Sequence, residues 1–569
     1  SSLLGPVINQ SLAALPIPKR MRWGSSKEEF VRPVQWAVLL FNGSVYHEDV
    51  LGLTSGNISR GHRFHSEGDI VITSPDSYAE QLREAYVIVD FNQRRDIIRQ
   101  GVTELAASID GQAVIDEDLL DEVSALNEWP VPLMGGFDEH FLQVPSQALI
   151  SSMKEHQKYF HVVDQNNNLM AAFVTVANIE SKDPVQVIDG NERVIRPRLA
   201  DAAFFYQNDK QSSLESRRES LKQVVFQAKL GSVFAKTERV AALAETIAQY
   251  TDTDPKLARR AAELSKSDLV TDMVGEFDDL QGTMGRDYAL NDGEPKEVAE
   301  ALFEQYLPRF AGDQVPDTGT GTTLALADRL DSLVGIFSIG QQPSGSRDPF
   351  ALRRASLGVL RIIIERKIDL DLTQAINAAA AQFELSKEGD LSSESICKQV
   401  LTYIIERFKS WYRDEGMAAE VFMAVTALEL SKPLDINARV QAVNQFSQLP
   451  EAVALAAANK RVANILAKQL GDTIPDTVQS TLLQEPAEQA LASAIESLSQ
   501  EIEPLVQQRD YSGILQKLAQ LREPVDEFFD QVMVMADDQA IRDNRLALLF
   551  SLRQLFINVA DISQLAPSK

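Results

Sequence analysis

The stretch LREPVDEFFDQVMVMADD, residues 521–538, carries the clearest indication of fold class in the chain. Its apolar residues recur every three or four positions, as they do on the buried stripe of an α-helix. Each leucine or phenylalanine removed from water contributes about 1.5–3 kcal/mol, so such a helix has to pack against others. The pattern predicts a helical bundle with a core that includes Leu521, Val525, Phe528, Phe529, Val532 and Ala536.

The same period extends beyond this stretch. From about residue 212 onward, nearly every segment has helical spacing. On the last helix, Arg542 and Arg545 are predicted to lie on the face away from the apolar stripe. That stripe consists of Leu548, Leu549, Leu552, Leu555, Phe556 and Val559. We therefore expect the second part of the chain to be almost entirely α-helical.

The first 200 residues have a different pattern, in which short apolar runs alternate with turn residues. Helical patterns occur at 92–108 and 117–126. We predict strands at 36–41 (WAVLLF), 68–73 (GDIVIT), 86–91 (YVIVDF), 139–145 (EHFLQVP), 158–163 (KYFHVV) and 170–178 (MAAFVTVAN). The chain is therefore predicted to be multidomain, with an α+β region followed by largely α-helical domains.

Length and composition limit the classes of protein to consider. A chain of 569 residues suggests about three or four domains. Its single cysteine, Cys397, excludes a disulfide within the chain and fits a reducing compartment. No apolar run reaches the roughly 18 residues of a membrane span, and no signal peptide is visible. We expect a cytoplasmic protein without a membrane partner, either processed or a fragment, since it begins without methionine.

The charge of the chain is unevenly distributed. A net charge of −27 argues against polyanion binding on average, because phosphates are bound by lysine and arginine. Basic residues nevertheless outnumber acidic ones by five to two at 19–32, nine to five at 196–239 and six to two at 347–367. Each cluster is interpreted either as a solvated helix face or as a patch for an anionic partner.

The residues that usually carry chemistry are sparse. All six histidines lie at or before position 161, so the remaining chain has no histidine for a metal site or a general base. There is no phosphate-binding loop of the G-x-x-x-x-G-K-[ST] type and no G-x-S-x-G nucleophile motif. The glycine-dense DTGTGTTLALAD, 317–328, is interpreted as a loop that caps a helix. We predict no catalytic residues and no metal ligands.

The stretch GSRDPFALRRASLGVLRI, 345–362, is predicted to form a helix that starts at Asp348 and Pro349. Its arginines Arg354 and Arg361, together with Gly358, lie on the face opposite the apolar residues. Two interpretations stay open for these arginines. They pair with acids such as Asp328 and Asp331 of the preceding helix, or they contact an anionic partner.

An ordered set of longer motifs carries a family resemblance. It includes LPIPKRMRWG (15–24), RGHRFH (60–65), ANIESKDPVQVIDGNERVIRPRLADAAFFYQND (177–209), SKSDLVTDMVGEFDDLQGTMGRDYA (265–289), ADRLDSLVGIFSIGQQPSGSRDPFALRRASLGVLRI (327–362), AANKRVANIL (457–466) and REPVDEFFDQVMVMADDQAIRDNRLALL (522–549). Together they resemble the β subunit of bacterial heterotetrameric glycyl-tRNA synthetase. The resemblance runs from about residue 12 to the end of the chain, and an N-terminal region of that family has no counterpart here.

The resemblance implies a division of labour between two polypeptides. A separate α subunit would make glycyl-adenylate from glycine with ATP and Mg²⁺, and this chain would bind tRNA(Gly) within an α2β2 assembly. No cofactor is expected in this chain, and no DNA partner. Two alternatives are kept: the chain is mainly an assembly scaffold for the α subunit, or it is an HD-type hydrolase.

The resemblance also implies a domain order. Residues 1–211 would be similar to the B3/B4 module of phenylalanyl-tRNA synthetase β chains, and residues 212–365 to HD-type domains. Residues 366–429 would form a helical linker, and 430–569 the helical anticodon-binding bundle. Because 212–365 contains no histidine, the HD-like part is expected to be non-hydrolytic. Editing is also not expected, since a tight glycine pocket excludes larger amino acids sterically.

The candidate tRNA contacts follow from the placement of cations and amides on the predicted helices. Lysine and arginine bind phosphates, while asparagine and arginine read the edges of unstacked bases. Lys460, Arg461 and Asn464 are predicted to share one helix face. Arg542, Asn544 and Arg545 form a second set, and Arg354 and Arg361 of the 345–362 helix are further candidates.

Overall fold

The computed structural model describes residues 3–345, 347–385, 392–468 and 477–566 of the chain. Within these ranges the chain forms two compact units. The first unit contains the residues up to 211 together with 275–280, and the second contains 212–274 and the residues from 281 onward.

The first 211 residues contain most of the strands. Their helices are α1 (Leu4–Ala14), α2 (Tyr78–Glu84), α3 (Phe91–Ala107), α4 (Glu117–Leu126), α5 (Ser146–Ser151) and α6 (Pro184–Asp209). Their strands are β1 (Met21–Arg22), β2 (Glu29–Phe30), β3 (Leu40–Phe41), β4 (Ser44–Val45), β5 (Asp49–Val50), β6 (Leu53–Thr54), β7 (Ile58–Arg60), β8 (Asp69–Val71), β9 (Gln112–Ala113), β10 (Val131–Gly136), β11 (Phe160–Val163) and β12 (Leu169–Ala177). The α+β character predicted for this region is confirmed.

In the described residues from 212 onward, the regular structure is helical apart from one small hairpin, β13 (Val225–Gln227) and β14 (Gly231–Ser232). The first group of helices is α7 (Leu214–Arg217), α8 (Val233–Ala248), α9 (Pro255–Leu264), α10 (Asp272–Glu276), α11 (Thr283–Asn291), α12 (Lys296–Glu304), α13 (Gly319–Ser338), α14 (Leu352–Glu365) and α15 (Leu372–Ala380). The second group is α16 (Ser393–Ile405), α17 (Arg407–Asp414), α18 (Ala419–Thr426), α19 (Pro433–Ser447), α20 (Ala452–Ala467), α21 (Pro486–Gln508), α22 (Tyr511–Leu518), α23 (Arg522–Gln531) and α24 (Gln539–Ile557). None of the helices in the described ranges is long and apolar enough to cross a membrane.

The core of the first unit lies on a four-stranded antiparallel sheet with strand order β10-β12-β11-β9. Helices α3 and α4 pack on one face of this sheet, where Ile98 and Leu120 meet Phe160 and Val174. Successive side chains of a strand point to opposite faces. Phe173 therefore lies on the other face, where its ring stacks on Tyr159 at 4.5 Å between centroids.

Two of the predicted strands are wrong. Residues 86–91 lead into α3 instead, because the Asp90 side chain accepts a hydrogen bond from Gln93 N and caps that helix. Residues 139–143 form a 3₁₀ helix that is capped in the same way by Asp138. Several short strands and one longer strand, β10, were not predicted. Pro132 of β10 is tolerated because β10 lies at the edge of the sheet.

Helix α13 lies at the centre of the second unit and is buried on nearly all sides. It begins in the glycine-dense stretch, where the Thr318 hydroxyl accepts a hydrogen bond from Gly321 N at 2.9 Å. The buried carboxylate of Glu304 accepts another from Asp317 N at 2.7 Å. An acidic side chain of the protein therefore occupies the helix end where an anion would bind. Capping by a threonine of this stretch is confirmed, but the loop predicted over 317–328 is wrong, because residues 319–328 already belong to α13.

Arg329 of α13 holds the end of α12 in place. Its guanidinium donates hydrogen bonds to five main-chain carbonyl oxygens, those of Gln305, Tyr306, Leu307, Pro308 and Ala325, at 2.7–3.2 Å. A Cβ on Gly358 of α14 would lie 2.7 Å from Arg329 Nε, so only glycine lets α14 approach this closely. Because buried carbonyls need partners, this one side chain joins α12, α13 and α14.

The helix predicted from Asp348 begins later, at Leu352. The Asp348 carboxylate still caps it by accepting hydrogen bonds from Leu352 N and Arg353 N, both at 2.9 Å. Ala351 adopts a left-handed conformation, φ 52°, which separates Pro349 from the first turn. The acids proposed to pair with this helix have other partners.

Asp328 and Asp331 are paired with cations of neighbouring helices. Lys236 Nζ lies 3.2 Å from Asp328 Oδ1 and 3.0 Å from Asp331 Oδ2, and Arg239 Nε lies 2.7 Å from Asp331 Oδ1. The predicted pairing of these acids with Arg354 and Arg361 is wrong, because the acids form ion pairs with cations of α8.

The opening stretch of the sequence is helical only to Gln531. Beyond it the chain is extended, and burial alternates with a period of two: Val532 and Val534 are buried, whereas Met533 and Met535 are exposed. The predicted continuation of the helical stripe to Ala536 is therefore wrong. Leu521, Val525 and Phe528 are buried as predicted, whereas Phe529 is only half-buried and is not part of the core. The predicted apolar stripe of the last helix is buried.

Replacing Arg329 should destabilise the second unit strongly. In Arg329→Met the buried carbonyls at the end of α12 lose their donor, which should cost about 3–5 kcal/mol. Arg354→Met, at an exposed position of α14, is the matched control and should change stability by no more than about 0.5 kcal/mol. Urea unfolding followed by circular dichroism measures both. Equal stability of the two variants would contradict the role assigned to Arg329.

Candidate nucleic-acid interface

Helix α20 is rich in alanine, which has the most favourable helix propensity. Leu455, Ala456, Asn459 and Val462 are buried, and their spacing of three and four places them on one face. Asn459 belongs to this face because its amide donates to the Leu455 carbonyl at 3.1 Å. The opposite face is therefore left for solvent or a ligand.

That opposite face lines a cleft of about 800 Å³. The lining residues are Ala457, Lys460, Arg461, Asn464, Ile465, Lys468 and, from the end of the chain, Ala566. We refer to this site as the α20 cleft. It combines three cations, one amide and an apolar wall. The structure thus places Lys460, Arg461 and Asn464 together, as the sequence predicted for their helix face.

Arg461 is the best oriented of these cations. Its side chain is exposed, and its guanidinium lies 4.3 Å from the ring centroid of Phe529 of α23. A guanidinium stacked on an aromatic ring is held in one plane by the cation–π attraction. Its hydrogen-bond donors and its other face are then available for a phosphate or a base.

Lys460 is held at the rim of the cleft. Its ammonium donates a hydrogen bond to the Ala566 carbonyl at 3.2 Å. This contact ties α20 to the C-terminal segment, which forms a 3₁₀ helix over Ile562–Leu565. Lys460 therefore contributes positive charge from a position fixed by the protein.

Lys468 was not among the predicted residues. It caps the C-terminal end of α20 and is exposed. Its position could have been predicted from spacing, since Lys460, Asn464 and Lys468 follow one another at intervals of four and so share a helix face.

The second predicted set does not form a surface. Asn544 and Arg545 are both buried, 4% and 7% exposed, which contradicts the expectation that they face solvent. The Asn544 side chain accepts a hydrogen bond from Gln479 N at 2.7 Å and donates one to Gln479 O at 3.1 Å. Asn544 thus holds a neighbouring segment of the chain.

Arg545 forms a buried ion pair with Glu488 of α21, which is fully buried. Arg545 also donates to the Met533 carbonyl at 2.7 Å. The second carboxylate oxygen of Glu488 accepts hydrogen bonds from Gln484 N and Glu485 N at 2.7 and 3.0 Å. These contacts use the Arg545 guanidinium inside the bundle, so the surface prediction for this residue is corrected.

The remaining three predicted residues lie outside the α20 cleft. Arg542 is half-buried and donates to the Ala536 carbonyl at 3.1 Å. On α14, Arg361 pairs with Glu365 at 2.7 Å and donates to the Asp313 carbonyl at 2.6 Å. Arg354 is exposed. Of the eight predicted contacts, the structure therefore brings together only the three on α20.

Within the described ranges, no group of three or more His, Cys, Asp or Glu side chains is placed to hold a metal ion. The α20 cleft itself is suited to an anionic ligand with flat groups. Its cations attract phosphates, its amide forms hydrogen bonds with either donors or acceptors, and Ile465 and Ala457 offer apolar contact.

Comparisons with known proteins place this geometry in context. Residues 1–427 match the family model described as glycyl-tRNA synthetase beta subunit, and residues 455–566 match that of the DALR anticodon binding domain. Proteins named glycine–tRNA ligase beta subunit are similar over 99% of this chain. They include those of Marinobacter nauticus (59% identity, 81% of its length), Hahella chejuensis (53%, 81%) and Pseudomonas aeruginosa (52%, 82%).

The Arg545–Glu488 pair should prove structural in a double-mutant cycle. Arg545→Met and Glu488→Leu should each destabilise the bundle by about 3–5 kcal/mol, because each leaves the partner charge buried and unpaired. The double variant should lose less than the sum of the two, since it leaves neither charge. Thermal and urea unfolding measure the cycle. Additive losses would contradict the pairing.

Proposed function

Because the chain belongs to the glycyl-tRNA synthetase beta-subunit family, we propose that it is the tRNA-binding subunit of a glycine–tRNA ligase. The α20 cleft is the part that contacts tRNA(Gly). The chain itself carries no complete catalytic site in this proposal. It serves the aminoacylation of tRNA(Gly) that a partner α subunit performs.

One observation carries the proposal. The α20 cleft lies within residues 455–566, the part of the chain that resembles an anticodon-binding domain. It gathers Lys460, Arg461, Asn464 and Lys468 on one helix face, in a chain with a net charge of −27. An acidic protein binds RNA only where cations are locally concentrated, because the rest of its surface repels phosphates.

The chemistry of the cleft favours an unpaired loop of RNA. Arg461, stacked on Phe529, presents a flat cationic surface on which an exposed base can stack. The Asn464 amide donates and accepts hydrogen bonds and so suits the edge of a base. Lys468 at the end of the helix is placed for a phosphate.

Catalysis would belong to the α subunit, with ATP and Mg²⁺ bound there, in an α2β2 assembly in the cytoplasm. The interior of the second unit is consistent with this division. Burial lowers the pKa of Lys236, but the carboxylates of Asp328 and Asp331 outweigh this effect and raise the pKa above its ordinary value. Asp331 is neutralised by Lys236 and Arg239 of the chain itself. The lack of histidine in residues 212–365 argues against the HD-type hydrolase.

We also propose the finer fold assignments as working hypotheses. Residues 1–211 would be a B3/B4-like module, and 212–365 an HD-like domain without hydrolytic activity. Residues 366–429 would link it to the anticodon-binding bundle of 430–569. The helical composition of the second unit supports the assignments from residue 212 onward. The lack of histidine in 212–365 supports an HD-like domain without hydrolytic activity.

The scaffold alternative makes a different prediction about salt. A subunit that contacts phosphates should lose affinity for tRNA steeply as salt is raised, because bound counterions are released. For a subunit that only holds the α subunit, tRNA binding by the isolated chain should show almost no dependence on salt. A filter-binding titration of the isolated chain against salt separates the two.

Substitutions in the α20 cleft should weaken tRNA binding and leave amino-acid activation intact. In Arg461→Ala/Lys468→Ala, loss of a stacking cation and a phosphate contact should lower the affinity for tRNA(Gly) about tenfold or more at physiological salt. The slope of log affinity against log salt should fall by about one to two. Filter binding measures both quantities.

The matched control is Lys256→Ala, at an exposed position of α9, which should leave tRNA affinity unchanged. Glycine-dependent ATP–pyrophosphate exchange by the holoenzyme should be the same for all three proteins, since that reaction needs no tRNA contact. Unchanged tRNA affinity in the double variant would reject the α20 cleft as the contact.

A further inference from the structure

A second pocket lies in the first unit, on the hairpin formed by β7 and β8. Ile58 pairs with Val71 and Arg60 pairs with Asp69 in the register of this hairpin. All four side chains lie on the same outward face, because their positions differ by two along each strand. Trp36 lies beside them, and its ring is 5.9 Å from the Arg60 guanidinium carbon.

The pocket beside this hairpin has a volume of about 440 Å³. Trp36, Leu53 and Ile58 provide apolar walls, while His47, Asn57 and the Arg60–Asp69 pair provide polar groups. We refer to it as the Trp36 pocket. Its size falls within the usual range of ligand sites, about 300–1,000 Å³, and is sufficient for a single nucleotide.

The polar groups of the Trp36 pocket include hydrogen-bond acceptors. His47 Nδ1 lies 2.8 Å from the Ser55 carbonyl, so it donates there and leaves Nε2 as an acceptor. The Asn57 amide nitrogen donates to the Ile72 carbonyl at 3.2 Å, which leaves its Oδ1 as an acceptor. Acceptors next to an aromatic wall match the exocyclic amino groups of adenine, guanine or cytosine.

A segment rich in basic residues lies close to one end of the pocket lining. Residues 19–32 carry five basic against two acidic side chains. Glu28 of this segment packs against Gly52, the residue before Leu53 of the pocket lining, since a Cβ on Gly52 would lie 3.1 Å from the Glu28 side chain. Lys19, Lys27 and Arg32 of the segment are exposed.

The exposed aromatics of this region are not needed for its core. Trp36 is 41% and Phe64 73% exposed, while Ile58 and Val71 are 49% and 54% exposed. The Phe64 ring likewise has an arginine near it, with the Arg63 guanidinium at 5.9 Å. Aromatic rings that alternate with arginines on an exposed face are typical of surfaces that bind single-stranded nucleic acid.

We propose that the Trp36 pocket binds an unpaired nucleotide of RNA. The base stacks on Trp36, its amino group donates to His47 or Asn57, and its phosphate is attracted by the basic segment 19–32. Arg60, held by Asp69 at 3.2 Å, positions the Trp36 ring. The proposal rests on the proposed function for its source of RNA, since an unpaired part of tRNA other than the loop at the α20 cleft would be the natural ligand.

A nucleotide explains these features better than a protein partner or a free amino acid. A protein surface would use the apolar pair Ile58–Val71 but has no need of the acceptors inside the pocket. A free amino acid needs a separate carboxylate and a separate cation, whereas Asp69 and Arg60 already pair with each other.

Fluorescence of the full-length chain tests the proposal, because it contains only four tryptophans. The probes are a short unstructured RNA and a blunt RNA duplex of equal length. The unstructured RNA should quench the emission of the wild type, and Trp36→Phe should lose most of this quenching. Trp411→Phe, which removes a tryptophan of the second unit, is the matched control and should retain it.

Affinity measurements separate this site from the α20 cleft. Trp36→Ala should bind the unstructured RNA about five times more weakly or worse, with an unchanged circular dichroism spectrum. In Arg461→Ala/Lys468→Ala, the RNA-induced quenching at Trp36 should persist, so that failure of one site is distinguished from failure of the other.

Three results would overturn the proposal. The first is equal quenching by the duplex and the unstructured RNA. The second is quenching by RNA that survives in Trp36→Phe. The third is loss of α-subunit association in Trp36→Ala with unchanged RNA affinity, which would assign the pocket to a protein interface.

Discussion

The buried ion pair between Arg545 and Glu488 is the interaction on which the C-terminal bundle depends. Two charges removed from water are tolerated only when they meet each other and find further hydrogen-bond partners. Here those partners are the Met533 carbonyl and the main-chain amides of Gln484 and Glu485. The pair thereby fixes α24, the start of α21 and the segment after α23 in one arrangement. The same arrangement brings Phe529 beneath Arg461, so the geometry of the α20 cleft depends on a pair that lies buried within the bundle.

The chain uses its arginines in two separate ways. Arg329 and Arg545 are buried and satisfy carbonyls and carboxylates that would otherwise be left without partners. Arg461 is exposed and stacked, so it retains donors for a ligand. This division explains how a chain with a net charge of −27 belongs to a tRNA synthetase family. A net negative charge disfavours nucleic acid on average, and in the proposed function a few grouped cations provide the place of contact.

Features that local periodicity determines could be predicted from the sequence. The position of a side chain could not be predicted where it depends on a partner distant in the sequence. The apolar stripes of α23 and α24, the helices α3 and α4, and the shared face of Lys460, Arg461 and Asn464 were all readable from spacing. Arg545 looked like a surface cation because its partner, Glu488, lies 57 positions away. Residues 86–91 looked like a strand because apolar composition alone does not reveal that Asp90 caps the next helix.

We propose that RNA meets this chain at grouped, exposed cations and not at its buried ones. Photo-cross-linking of tRNA(Gly) containing 4-thiouridine to the holoenzyme, followed by peptide mapping, tests this claim most directly. We predict that cross-links in the C-terminal bundle fall in the peptide that contains residues 457–468, with none in the peptide that contains Asn544 and Arg545. Cross-links confined to the α subunit, or centred on α24, would contradict it.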